Sequence, residues 1–314
     1  MANRFSKSAL SLHLWRPDTC GRWGQPFQMD TRDLTKLLTA GRNADGGWGY
    51  YRHKISRLEP TCWAVLALTS ARNNGAAAGK ALRQWPSRDG LLLERAGGEP
   101  NYGFHGLALL ALHAAALEHR DGNRALLDGL QRVKGLAFER SPINRQDNSI
   151  QAWSWIDDTF SWVEPTAWCL LALKTCAKPW DARIDPIRIR DAERLLVDRS
   201  CRDGGWNYGN SNMLGKELVP YVPTTALALL ALRDRGSEPL VKQGLEFLEG
   251  HSTSERSAMA LGLATRALRA YGHDTTAVRA ALLEQLPITV ALGNQAAAAA
   301  ALYALTNSDV HSTF

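Results

Sequence analysis

The chain has 314 residues, 45% of them hydrophobic, so it can bury a substantial core, and extensive disorder is excluded. Its net charge of +6 permits an anionic partner such as a phosphate ester or a lipid surface, without identifying one. Basic residues alternate with acidic ones, for example between Arg188 and Arg194, as on a solvated helix face. This pattern argues against a nucleic-acid partner.

Residues 1–28 are predicted to form an N-terminal arm, distinct from residues 29–314. Its aromatic residues, Trp15, Trp23 and Phe27, predict that the arm packs against the rest of the protein. Its apolar stretch is too short for a secretory signal, and no segment holds the roughly 18 apolar residues that a membrane span needs. Five cysteines without C-x-x-C spacing predict reduced thiols and a cytoplasmic location.

Two kinds of helix are predicted to alternate along residues 29–314. The amphipathic segments are, in chain order, 31–42, 78–85, 123–133, 187–199, 238–250 and 275–286. Each is followed by a segment that is apolar nearly all round: 61–68, 105–112, 166–173, 225–232, 257–263 and 295–305. Such a pattern predicts an outer helix with one face in water and then a buried inner helix.

The number of helix pairs indicates the architecture. Six buried helices alternating with six amphipathic ones predict an all-α fold, an α/α toroid in which an inner ring is surrounded by an outer ring. An open helical solenoid is the alternative, but six pairs are the number that closes a ring.

One sequence motif occurs twice in the chain. Asp45-Gly46-Gly47-Trp48 precedes Glu59-Pro60-Thr61, and Asp203-Gly204-Gly205-Trp206 precedes Pro223-Thr224-Thr225. Glycines that tolerate positive φ can turn the chain, and each aspartate is predicted to hydrogen-bond its own backbone. The loop is therefore scaffold, and the start of the inner helix is the better candidate for function.

The outer helix, Asp-Gly-Gly-Trp loop and Pro-Thr inner helix resemble the prenyltransferase and squalene oxidase repeat. This repeat is found in squalene-hopene and oxidosqualene cyclases and in the β subunits of protein prenyltransferases. The resemblance covers about residues 30–305 and implies an α/α toroid. It also implies an isoprenoid substrate, which is a hydrophobic small molecule.

Class II terpenoid cyclases of this family begin one inner helix with Asp-x-Asp-Asp-Thr-Ala, whose central Asp protonates an alkene or epoxide. The matching positions here are Trp162-Val163-Glu164-Pro165-Thr166-Ala167, so Glu164 falls where the acid would be, without either flanking acid. The resemblance therefore implies acid-initiated cyclisation of a polyprenyl or triterpene chain, with Glu164 as the acid.

Asp157 and Asp158 lie in the loop before this helix, where the third unit lacks the glycine loop of the first and fourth units. They are candidate helpers of the acid. They are also candidates to bind Mg²⁺ with a diphosphate, because magnesium is commonly held by one or two carboxylates and phosphate oxygens. Adjacent acids in a loop are more often solvated, so no cofactor is expected.

Glu59 and Glu164 allow two interpretations. Because a proline follows each glutamate, each is predicted to cap its helix and to interact with the positive end of the helix dipole. In a toroid, however, all inner helices run in one direction, so Glu59, His105, Glu164 and Thr225 would ring one mouth of a central cavity. A carboxyl group there donates a proton if burial raises its pKa.

Protein prenyltransferases hold zinc with Asp, Cys and His at the start of inner helices. His105 resembles their His ligand, and Glu59 with Cys62 resembles their Asp-x-Cys pair, although Cys62 is one residue late and the chain order is wrong. Because zinc needs three converging protein ligands, no metal site is predicted.

Aromatic residues cluster in the first, third and fourth units. The candidate substrate-binding residues are Trp48, Trp63, His105, Trp155, Trp162, Trp168, Trp206 and Tyr221. Aromatic faces stabilise cations, and isoprenoid cyclisation proceeds through carbocations. The alternative is that these residues pack between repeats, since tryptophan buries a large area wherever it lies.

The sequence is therefore compatible with three functions. The first is a class II-like terpene cyclase, and the second is a non-catalytic toroid that binds an isoprenoid lipid or a protein. The third is a carbohydrate-active toroid with carboxylates about 5–10 Å apart. A single ring leaves its cavity open unless the arm or a second subunit covers it, so a homo-oligomer and peripheral membrane contact are both compatible with the sequence.

Overall fold

A computed structural model describes residues 29–73, 75–116, 120–139 and 145–306. The predicted arm, residues 1–28, lies outside the described residues. The described helices are α1 (Thr31–Ala40), α2 (Leu58–Ser70), α3 (Gly75–Arg83), α4 (Tyr102–Ala114), α5 (Arg120–Arg132), α6 (Val163–Cys176), α7 (Pro186–Asp198), α8 (Val222–Ala231), α9 (Pro239–His251), α10 (Ala258–Ala270), α11 (Thr276–Ala291) and α12 (Gln295–Leu305). Within the described residues, strands are limited to two short hairpins: β1 (Ser87–Arg88) with β2 (Leu91–Leu92), and β3 (Asn212–Met213) with β4 (Lys216–Glu217).

The even-numbered helices form the inner ring of an α/α toroid, as the sequence predicts. Each contacts the next in order from α2 to α12, and α12 packs against α2, which closes the ring. Their residues are buried on nearly all sides. A helix that is apolar all round has no face for water, which explains why these six lie inside.

The odd-numbered helices form the outer ring. In α1, for example, Leu34 and Leu38 are buried while much of the remaining surface is exposed. Asp30 caps this helix, because its side chain accepts a hydrogen bond from the Asp33 backbone N–H at 3.1 Å. Asp33 in turn accepts from the Asp30 N–H at 3.3 Å, which completes a capping box.

A tryptophan ties the outer ring to the inner ring in three units. The Trp48 indole N–H donates to the Leu38 carbonyl of α1 at 2.8 Å, and its backbone N–H donates to the Thr61 hydroxyl of α2 at 2.9 Å. The same pair of bonds recurs at Trp153 with Leu130 and Thr166, and at Trp206 with Leu196 and Thr225. Trp48, Trp153 and Trp206, the anchor tryptophans, are completely buried.

The Asp-Gly-Gly-Trp loop is a tight turn in both of its copies. Gly46 and Gly204 have φ of 85° and 84°, values that L side chains rarely adopt. The Asp45 carboxylate accepts a hydrogen bond from the Gly47 N–H at 3.0 Å, which is the predicted turn. These residues therefore position the anchor tryptophan.

Helix α11 extends beyond its predicted end. The predicted segment ends at Leu286, and the next residue, Pro287, lacks an N–H and is of a type that usually ends or kinks a helix. The helix instead continues to Ala291, and the Thr289 hydroxyl donates to the Gln285 carbonyl at 2.8 Å.

In the part of the chain described, no helix is long and apolar enough to cross a membrane.

Candidate functional site

Helices α2 and α6 begin with the same five-residue pattern, Glu-Pro-Thr-x-Trp, at Glu59 and Glu164. The prediction that these glutamates cap their helices is wrong. The capping positions are occupied by Arg57 and Trp162, and each glutamate is the second residue of its helix. The following prolines still fall in the first turn, where the backbone N–H has no partner within the helix.

A cavity of about 440 Å³ lies at the N-terminal ends of the inner helices. Glu59 of α2 and Glu164 of α6 line it together with the tryptophan one turn further along each helix. The full lining consists of Glu59, Trp63, Glu164, Trp168, Tyr208, Tyr221, Pro223, Glu255, Ser257, Met259, Ala260 and Leu263. The structure thus brings together five of the predicted site residues: Glu59, Trp63, Glu164, Trp168 and Tyr221.

Trp63 and Trp168, the cavity tryptophans, contact each other as well as the two acids. Their ring centroids are 5.7 Å apart in an edge-to-face arrangement. Residues four apart lie on one face of a helix, so each indole N–H reaches the glutamate of its own helix. Trp63 hydrogen-bonds Glu59, and Trp168 hydrogen-bonds Glu164.

Burial raises the pKa of Glu164 to about 7. The negative charge of Glu59 contributes to this rise, whereas the hydrogen bond from Trp168 opposes it. Glu164 is partly accessible because it lines the cavity, yet protein surrounds it closely enough for desolvation to dominate. Burial therefore keeps Glu164 protonated and neutral up to a higher pH than a carboxyl group in water.

Burial also raises the pKa of Glu59 above its usual value. Two hydrogen bonds oppose the rise: one from the Trp63 indole and one from the Tyr50 hydroxyl, which donates to Oε2 of Glu59 at 2.5 Å. The charge of Glu94 acts in the same direction as burial, and Glu94 is itself paired with Arg57. Glu59 is thus the more strongly hydrogen-bonded of the two acids.

The opening of the cavity carries aromatic residues. Tyr208 and Tyr221 are about half exposed, and their ring centroids are 5.4 Å apart. Burial, followed by the charge of Glu164, raises the pKa of Tyr208. Sequence analysis did not select Glu255 or Met259, because the fifth unit lacks the Glu-Pro-Thr pattern. The available signal was their position beside residue 257, where an inner helix is predicted to start.

Asp157 and Asp158 are not among the residues that line this cavity. Asp157 lines a separate groove of about 330 Å³ and accepts a hydrogen bond from the Tyr102 hydroxyl at 2.7 Å. Asp158 is exposed and has a positive φ of 54°. A role for this pair in helping Glu164 or in binding Mg²⁺ stays a prediction.

His105 is completely buried, and the backbone occupies both of its ring nitrogens. Its Nδ1 accepts from the Leu92 N–H at 3.0 Å, and its Nε2 lies 2.9 Å from the Leu126 carbonyl. Burial lowers the pKa of His105 to about 4, so the ring is neutral. His105 accepts a backbone N–H from 13 residues earlier, as Thr61 does in the first unit. The ring therefore fits neither a zinc ligand nor a cavity wall.

The remaining predicted aromatics lie outside the cavity lining. Trp155 packs against Phe104, with ring centroids 5.4 Å apart, and Trp162 packs against Phe160 at 4.6 Å. Trp48 and Trp206 are anchor tryptophans. Among the described residues, no group of three or more His, Cys, Asp or Glu side chains is arranged to hold a metal ion.

No protein-family model matches the sequence, and no curated protein sequence matches it significantly. Solved structures with a similar fold do exist. Type II terpene cyclase MstE from Scytonema, in complex with geranylgeranyl dihydroxybenzoate, is 16% identical, with a TM-score of 0.54 over 88% of this chain and 95% of that one.

Two glycosidases are similar to a comparable degree. The GH76 α-mannanase of Bacteroides thetaiotaomicron is 9% identical, with a TM-score of 0.59 over 88% of this chain and 94% of that one. The GH63 mannosylglycerate hydrolase of Thermus thermophilus is 13% identical, with a TM-score of 0.56 over 87% and 99%. At such low identities the comparisons establish the α/α toroid fold alone.

Proposed function

We propose that the protein catalyses acid-initiated cyclisation of an isoprenoid chain in its central cavity, with Glu164 as the proton donor. The observation that carries the proposal is a carboxyl group whose pKa is about 7, placed beside aromatic side chains in that cavity. Only a protonated carboxyl group can donate, and burial supplies that state near neutral pH.

In the reaction, the Glu164 carboxyl O–H transfers its proton to a terminal alkene of the substrate. The π electrons of this alkene form the new C–H bond and leave a tertiary carbocation, which the next alkene attacks to close a ring. Transfer of one proton from the final cation to a carboxylate of the cavity, such as the one left on Glu164, restores an alkene, so the product has the same mass as the substrate. The proton taken from Glu164 is thereby returned in the overall balance.

The aromatic residues of the cavity would stabilise the cations formed on the way. The electron-rich faces of Trp63, Trp168, Tyr208 and Tyr221 attract positive charge, most strongly where water is excluded. The cavity volume of about 440 Å³ falls within the roughly 300–1,000 Å³ usual for small-molecule sites. MstE, which shares the fold, was solved with a geranylgeranyl-bearing substrate, so a chain of that class is the first choice.

The test is incubation with squalene, farnesyl diphosphate, geranylgeranyl diphosphate and geranylgeranyl dihydroxybenzoate, with mass spectrometry of the extracted products. The wild type is expected to form an isomer of equal mass but different retention time from at least one of them. Glu164→Gln keeps the shape of the side chain without its acidic proton, so turnover should fall at least 100-fold.

Glu246→Gln is the matched control, because it removes an exposed carboxylate of α9 that does not line the cavity. It should leave turnover unchanged. If no substrate turns over, or if Glu164→Gln is fully active, the proposal fails. Binding of the isoprenoid without turnover would instead favour the non-catalytic toroid.

A second candidate is glycoside hydrolysis. It is favoured by the presence of three carboxylates in one cavity, Glu59, Glu164 and Glu255, beside aromatic faces on which a sugar can stack. Glycosidases use one protonated and one ionised carboxyl group. Release of reducing sugar from α-mannosides or mannosylglycerate, abolished by Glu164→Gln, would support this function and would exclude cyclisation as the main activity.

A further inference from the structure

The two Glu-Pro-Thr-x-Trp helices differ at one neighbouring position. Nine residues before Glu59 stands Tyr50, whose hydroxyl donates to Glu59. Trp155 stands in the same register before Glu164, but it has no hydroxyl, and its ring packs against Phe104 instead. Glu59 therefore receives two side-chain hydrogen bonds, whereas among the described residues Glu164 receives one, from Trp168.

This difference decides which acid keeps the proton. Hydrogen bonds from N–H and O–H donors stabilise a carboxylate more than a neutral carboxyl group. Two acids in one poorly solvated cavity also repel each other when both are ionised, so the charge settles on the acid with more donors and the proton on the other.

We propose that Tyr50 is a positioning residue that keeps Glu59 ionised and thereby confines the shared proton of the cavity to Glu164. The catalytic meaning of this division rests on the proposed function, since it leaves Glu164 as the donor and Glu59 as a fixed negative charge. An ionised Glu59 would stabilise a cation that forms above it.

The backbone fixes Tyr50 in place. The Tyr50 carbonyl accepts a hydrogen bond from the Gln295 N–H of α12 at 2.8 Å. Burial, and next the charge of Glu59, raise the pKa of Tyr50, so its hydroxyl stays protonated and remains a donor to Glu59 at physiological pH. The backbone contact between the first unit and α12, which closes the ring, therefore also holds Tyr50 in place.

Other charged and titratable groups surround the pair. Arg57, Glu94 and Cys62 lie near Glu59. The cavity lining around Glu164 includes Tyr208, Tyr221 and Glu255. Arg266 lies behind Tyr303, which packs against Trp63. Arg57 pairs with Glu94 and offsets its charge. Burial and the charge of Glu59 raise the pKa of the Cys62 thiol well above its usual value, so Cys62 stays neutral. These groups therefore do not reverse the order that the hydrogen bonds set.

The test reads ionisation rather than turnover. Protein labelled with ¹³C at the glutamate side-chain carboxyl carbon is titrated by NMR without any substrate, and Glu59→Gln and Glu164→Gln assign the two signals. In the wild type, Glu164 is expected to titrate at a higher pH than Glu59. In Tyr50→Phe, the Glu59 midpoint should rise by about one pH unit, and the Glu164 midpoint should fall as its neighbour loses charge.

Tyr51→Phe is the matched control, because Tyr51 is the adjacent tyrosine and is 47% exposed. It should move neither midpoint. The proposal is overturned if Tyr50→Phe moves both midpoints no more than Tyr51→Phe does, or if the wild type holds its proton on Glu59. If Tyr50→Phe does not fold, the wild-type order still tests the proposal, because a proton held on Glu59 overturns it. Failure to find a substrate leaves this result unaffected, so the two proposals can fail separately.

Discussion

The anchor tryptophans and the cavity tryptophans lie on the same repeats but serve different purposes. Trp153 precedes Thr166 and joins α5 to α6 through its indole and backbone N–H groups. Trp168 follows the same threonine on α6 and faces the cavity with Glu164. Position relative to the threonine, rather than burial, therefore separates the two sets, since Trp168 is only 2% exposed.

The difference predicts that anchors determine stability and cavity tryptophans determine chemistry. An anchor fills a fully packed space, satisfies a buried backbone carbonyl of the outer helix and bonds a threonine hydroxyl of the inner helix. A cavity tryptophan borders empty volume, so its neighbours lose fewer contacts when it is changed. Four substitutions test this contrast, in order of decreasing effect.

Trp153→Ala should have the largest effect. It leaves a cavity, leaves the Leu130 carbonyl without its indole donor, and removes the ring over which the Arg188 guanidinium lies at 3.9 Å. We expect a loss of about 3–5 kcal/mol in the free energy of unfolding. Urea denaturation measures it, and a loss below about 1 kcal/mol would contradict the anchor role.

Glu164→Gln should stabilise the protein at high pH. Burial raises the folded pKa of Glu164 from 4.5 to about 7, so the folded state binds more protons than the unfolded state between these values. The contribution of Glu164 to stability is thus greatest below pH 4.5, and up to about 3 kcal/mol of stability is lost at this site as the pH rises from 4.5 through 7. Glutamine removes that loss.

The measurement is the melting temperature of wild type and Glu164→Gln from pH 4 to pH 9. The two curves should separate between about pH 4.5 and pH 7 and stay apart above pH 7, with the variant more stable. Glu246→Gln, on the exposed face of α9, is the control and should follow the wild type at every pH. Parallel curves for Glu164→Gln would mean that Glu164 is not desolvated.

Thr61→Val should cost about 1–3 kcal/mol, because valine has the same shape but leaves the buried Trp48 N–H without an acceptor. Thr39→Val, at an exposed position of α1, should change stability by less than about 0.5 kcal/mol. Chemical denaturation of both variants separates the effect of the hydroxyl from that of helix propensity. Equal losses would show that the threonine hydroxyl does not hold the anchor.

Trp168→Phe should have the smallest effect on stability, below about 1.5 kcal/mol, since phenylalanine keeps most of the ring volume. It removes the donor that lowers the pKa of Glu164, so the Glu164 midpoint should move upward in a ¹³C NMR titration. A downward shift would contradict the hydrogen bond between these side chains.

Much of the fold could be predicted because amphipathic and apolar segments alternate along the sequence in the same order as outer and inner helices alternate in the ring. Helix α12 is predicted to its last residue, and α2, α4 and α6 extend by up to three residues beyond each end of their apolar segments. Helix α10 instead continues seven residues beyond its predicted end at residue 263. The two glycine loops also form as their residues require. These features depend on local sequence, which single-chain patterns capture well.

The candidate site was harder to predict because its side chains come from distant segments. Glu59 and Glu164 were expected as caps or as cavity acids, and only the position of the helix start, at Leu58 and Val163, removes the capping role. The anchor tryptophans lie in loops, where helical periodicity does not apply, and the cavity tryptophans lie on helices that are apolar all round. The hydrophobic pattern therefore could not distinguish the two sets. The same limit applies to His105, because a histidine at the start of an apolar helix looks the same in the sequence whether it is a buried structural residue or binds a metal or substrate.

The hydrogen bonds that join α12 to the first unit have a consequence for how the site is assembled. The Gln295 side chain donates to the Gly49 carbonyl at 3.1 Å across 246 positions of the chain. Contacts so distant in sequence form late in folding, because a long loop must first close. During synthesis the ribosome makes α1 to α11 before α12 emerges and these contacts can form. An incomplete chain therefore carries both glutamates but lacks the bond that holds the Tyr50 backbone beside them.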